Sequence, residues 1–98
     1  MTEPSIYGTH PKPYLQALDL YRLGRLRDTL QACVAHLGSS AAPYPPTLAL
    51  LGRVLADAGH YREAALELAR ALALDPRDAA TWLTLAQVHI QLNDPGTA

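Results

Sequence analysis

The stretch GRVLADAGHYREAALELARALALDP, residues 52–76, decides the fold. Its apolar residues recur at helical spacing, yet Gly52 and Gly59 stand seven residues apart inside it and Pro76 closes it. A glycine costs about 1 kcal/mol against alanine in a helix interior, so each must be required by packing or by chain reversal. Cutting the stretch at Gly59 resolves it. Upstream lies a helix that begins near Pro45 or Pro46 and carries Leu48, Leu51, Gly52 and Leu55 on one face. Downstream a second helix runs from Tyr61 to Leu74 with Ala64, Ala65, Leu68 and Leu72 inward, and Pro76 blocks its continuation.

The same reading extends in both directions. Residues 1–10 hold Pro4 and Gly8 with no sustained period and are expected to be a flexible lead-in. A first helix starts around Pro11 to Pro13, with Tyr14, Ala17, Leu18 and Tyr21 in one stripe, and Gly24 stops it. The next helix puts Leu26, Leu30, Cys33, Val34 and Leu37 on one face until Gly38, Ser39 and Ser40. Asp78 caps a fifth helix that runs to about Leu92, and residues 93–98 form a tail. So short a link between successive helices makes them antiparallel. No segment alternates as a strand would.

The 98 residues suit one domain with a single core. Apolar residues make up 49% and charged ones 17%, which argues against disorder and leaves some apolar surface uncovered. A formal charge of −1 gives no basic footprint for nucleic acid or an anionic membrane. One cysteine excludes an intrachain disulfide, the N-terminus lacks the pattern of a secretory signal, and no apolar run is long enough to span a membrane. The expected location is cytoplasmic. Seven Arg to one Lys, with no Phe, would suit a GC-rich bacterial genome.

A fixed period underlies the helices. A shift of 34 residues superimposes Leu48 on Trp82, Leu51 on Leu85, Gly52 on Ala86 and Gly59 on Asn93. A shift of 35 places Gly24 on Gly59 and Ala17 on Gly52. Leu48-x2-Leu51-Gly52-x2-Leu55, then Ala64-x3-Leu68, then Pro76 resembles the tetratricopeptide repeat pattern, which restarts at Trp82-x2-Leu85-Ala86. Residues 45–78 match it well and residues 11–44 form a degenerate copy. Residues 79–92 supply the first helix of a third repeat. The resemblance implies an all-α fold: antiparallel helix-turn-helix repeats stacked as a short right-handed α-solenoid over residues 11–92. About two and a half repeats fall short of the three usually needed for stability, so the chain is expected to be marginal alone or to self-associate through the fifth helix; the alternative reading makes it the N-terminal part of a longer repeat protein, with a catalytic domain after residue 98.

Nothing in the sequence forms a catalytic or metal-binding constellation, so no enzyme activity, metal or cofactor is expected. Cys33 reads as packing, Glu67 and Arg70 as a surface pair, and His36 as a favourable charge at a helix end. The resemblance instead places function on a concave groove that binds a protein or peptide segment. Its lining is expected to be Tyr14, Leu18 and Tyr21, then Ala49, Arg53 and Ala56, then Leu83, Gln87 and Ile90: a mostly apolar trough with one cation. Family members that clamp a chaperone's terminal carboxylate carry Lys, Asn and Arg where this chain has Tyr14, Leu18, Ala80 and Thr84. The clamp is therefore not expected, and an apolar partner segment is.

Overall fold

Two turns of identical construction set the helix pairing. In the first, Gly24 adopts φ +78° while its N–H bonds Tyr21 O at 2.9 Å and the Arg25 N–H bonds Leu20 O at 3.0 Å. In the second, Gly59 adopts φ +89°, with Gly59 N–H to Ala56 O at 3.0 Å and His60 N–H to Leu55 O at 2.8 Å. Both satisfy the last helical carbonyls in the same nested pattern, which needs a left-handed residue where only glycine sits without strain.

A computed structural model describes residues 10–93. Within them the helices are α1 (Lys12–Arg22), α2 (Leu26–Ser39), α3 (Pro45–Asp57), α4 (Tyr61–Leu74) and α5 (Ala79–Leu92), with no strand. α1 packs on α2, α2 on α3, α3 on α4 and α4 on α5, while α1, α3 and α5 meet only at their edges. The result is the expected all-α stack, drawn out to 56 × 27 × 23 Å. Prolines start α1 and α3, where the missing N–H has no intrahelical partner to lose. Asp78 starts α5 by accepting the Thr81 N–H and hydroxyl.

The core runs as two adjoining clusters. Ala17, Cys33, Leu50, Leu51 and Val54 join α1, α2 and α3, whereas Ala64, Leu68 and Val88 join α4 to α5, with Leu55 touching both. Gly52 lies against Leu68, where a β-carbon would stand 2.6 Å from Leu68 Cγ. That contact explains the first glycine of the opening stretch. Leu48 is completely buried and Leu85 partly so.

Five details depart from the sequence reading. Val34 is 55% exposed, because the inward stripe of α2 is Leu26, Thr29, Leu30, Cys33, His36 and Leu37, and Val34 lies beside it. His36 is buried and its Nδ1 pairs with Thr47 Oγ1 at 2.9 Å, so it is a core hydrogen-bonding group joining α2 to α3. Asn93, which the 34-residue shift superimposes on the left-handed Gly59, has φ −99° instead, and its side-chain amide donates to His89 O. Trp82 and Ala86, which the 34-residue shift matches to the packing positions Leu48 and Gly52, are both exposed, because among the described residues no helix pairs with α5 as α4 pairs with α3.

Candidate protein-binding groove

One side of the stack is lined mostly by α1, α3 and α5, with Leu68 and Tyr61 contributed by α4. Two adjoining depressions of about 250 and 450 Å³ run along it, and Arg53 and Thr84 border both. The first is walled by Tyr14 and Leu18 of α1, Pro46, Ala49 and Leu50 of α3, and Ala80 and Thr84 of α5. The second is walled by Tyr21, Ala56, Asp57, Tyr61, Gln87 and Gln91.

At the outer end, the Tyr14 ring meets the edge of Tyr44, whose hydroxyl lies 2.6 Å from His10 Nδ1. Burial, and then Tyr44 itself, raises the Tyr14 phenol above its ordinary value, so this wall presents a neutral aromatic. Tyr21 donates its hydroxyl to Asp57 at 2.6 Å, tying α1 to α3 across the groove floor. Burial and that hydrogen bond raise its phenol too.

Arg53 stands where the depressions meet. Its guanidinium carbon lies 5.8 Å from the centre of the Tyr21 ring, a cation–π contact that orients the side chain without neutralising it. Among the described residues no ion pair uses Arg53. The two carboxylates along the walls are already engaged, Asp57 by Tyr21 and Asp78 by Thr81. Among the described residues, Arg53 is the one cation bordering either depression.

Seven of the nine groove residues named from sequence border these depressions: Tyr14, Leu18, Tyr21, Ala49, Arg53, Ala56 and Gln87. Leu83 and Ile90 do not, being 61% and 67% exposed on another side of α5. The reason is geometric. α5 turns Ala80, Thr84, Gln87 and Gln91 toward α3, and successive residues of a helix point about 100° apart, so Leu83 and Ile90 face away from it. The third wall is therefore polar where the sequence reading had it apolar. The repeat period alone does not separate the two sets, since Ala80, Thr84 and Gln91 lie 34 residues after Pro46, Leu50 and Asp57, and Leu83 and Ile90 lie 34 after Ala49 and Ala56.

No group of three or more His, Cys, Asp or Glu could hold a metal ion among the described residues. Cys33 is buried away from the groove, and burial pushes its thiol up to about 11, so it stays protonated at neutral pH. Glu67 and Arg70 are a surface pair at 2.8 Å. No described helix is long and apolar enough to cross a membrane.

Helix pairs stacked side by side, with depressions running between them, define a helical-repeat fold. The tetratricopeptide repeat model matches residues 41–98, more than half of the chain, and the protein belongs to the tetratricopeptide repeat family. Neither the curated proteins nor the solved structures contain a significant match to it. Repeats of this family generally mediate protein–protein interaction.

Proposed function

We propose that this protein is a non-catalytic scaffold or adaptor that holds one segment of another protein in the groove between α1, α3 and α5. The observation that carries the reading is Arg53, a cation held over Tyr21 between two depressions and outside every ion pair of the described residues. A partner carboxylate meeting it gains a charge-assisted, bidentate hydrogen bond. An apolar partner side chain one step away sits against Tyr14, Leu18 and Ala49. The opposite wall of Thr84 and Gln87 offers hydrogen bonds to a peptide backbone.

The partner segment is thus amphipathic, with an Asp or Glu spaced close to a large apolar residue. The test is selection of random displayed peptides on the wild-type chain, followed by rebinding to Arg53→Glu and to Arg62→Glu on the outer face of α4. Selected peptides should share the acidic–apolar pair, lose binding to Arg53→Glu and keep it on Arg62→Glu. Equal binding to all three proteins would remove the groove from the account.

A further inference from the structure

α5 turns a second face outward that the groove does not use. Trp82, Leu83, Ala86, His89 and Ile90 lie within one stripe of this helix, opposite the buried Thr81 and Val88 and the partly buried Leu85. Trp82, Leu83 and Ile90 are 51%, 61% and 67% exposed. The fold itself shows what such a face is for. The position of Trp82 one repeat earlier is Leu48, which is completely buried. The position of Ala86 is Gly52, which lies against Leu68 of the next helix.

We infer that this face docks α5 of a second copy of the chain, antiparallel, about a two-fold axis beside Ala86. Charge favours that occupant. α5 contains no Asp, Glu, Lys or Arg, so meeting its own copy confronts no like charges and desolvates no ion. Stacking on the opposite end of another copy would cover exposed Lys12, Asp19 and Arg22 on α1, an unfavourable burial of charge.

The spacing is also self-complementary. Leu83 and Ile90 flank Ala86 on one side of the stripe, and Trp82 and His89 flank it on the other. A two-fold axis beside Ala86 therefore sets Leu83 opposite Ile90 and Trp82 opposite His89, and the small alanine lets the helices approach closely. Trp82 is ready for this role, because its Nε1–H already donates to Pro76 O at 2.8 Å and fixes the indole with its polar atom satisfied. The surface is separate from the groove, so the pairing stands or falls independently of the proposed partner.

Light scattering on the full 98-residue chain tests it. The mass should rise from the monomer toward twice that value with concentration, and Ile90→Glu should hold it at the monomer with the helical circular dichroism unchanged. Arg53→Glu should leave the association intact. Ala86→Cys should oxidise to a covalent dimer, whereas Arg62→Cys should not. A wild-type mass fixed at the monomer at every concentration overturns the pairing and leaves the face to a further helix or a foreign protein. So do growth beyond a dimer, association that survives Ile90→Glu, and a failure of Ala86→Cys to cross-link.

Discussion

Leu68 fills the space that a β-carbon on Gly52 would need: an ideal Cβ there stands 2.6 Å from Leu68 Cγ, 2.7 Å from Cδ2 and 3.2 Å from the Ala64 carbonyl oxygen. Leu68 is only 1% exposed and sits at the junction of α3, α4 and α5, so it cannot swing aside. The close approach of α3 and α4 at this point therefore rests on one missing methyl group.

Gly52→Leu should lower stability by about 1 to 3 kcal/mol through overpacking, read as a fall in thermal midpoint. Gly38→Ala is the matched control, because Gly38 is also helical and has nothing within 4 Å of the added carbon. Relief from glycine should make that variant more stable by up to about 1 kcal/mol. Equal behaviour of the two variants would contradict the close approach.

Gly59→Ala tests the turn rather than the packing. No atom lies within 4 Å of the added carbon, but φ is +89°, so the cost is backbone strain of about 1 to 2 kcal/mol. Denaturant unfolding should show a lower midpoint with an unchanged slope, since the folded surface is the same.

Cys33 makes stability depend on alkaline pH. The native thiol is raised from 9.0 to about 11 by burial, whereas the unfolded one is not. Below about pH 9 both states hold the proton and stability is unaffected; between about 9 and 11 only the native state holds it, so stability falls as pH rises. The raised phenols of Tyr14, Tyr21 and Tyr44 act in the same direction. Cys33→Val should therefore reduce this alkaline loss without abolishing it, measured by urea titration at a series of pH values. In the native wild type, iodoacetamide should label Cys33 far more slowly than in the unfolded chain.

Asp78→Ala should cost about 0.5 to 2 kcal/mol by removing the cap of α5. Hydrogen exchange should speed up first at the Thr81 amide, which Asp78 accepts. Uniform acceleration along all five helices would mean that α5 is not capped locally.

Helices and turns were legible because glycine and proline punctuate them, and because Gly24 and Gly59 repeat in register. The core stripe of α2 was not, since Thr29 and His36 are polar and the partner that buries His36, Thr47, comes from another helix. The groove was legible on α1 and α3. On α5 the repeat register points to Leu83 and Ile90, which lie 34 residues after the groove-lining Ala49 and Ala56, but the side of a helix that lines a groove is set by where its neighbour stands. The link from Tyr21 to Asp57 and the position of Arg53 over that ring needed coordinates.

The most direct test is a backbone amide NMR titration of the chain with one peptide selected on it. Shifts should gather at Tyr14, Leu18, Ala49, Arg53 and Thr84 and spare Arg27, Gln31, Arg62 and Leu66 on the outer faces of α2 and α4. A footprint on those outer residues, or confined to Trp82, Leu83 and Ile90, would contradict the groove as the binding site.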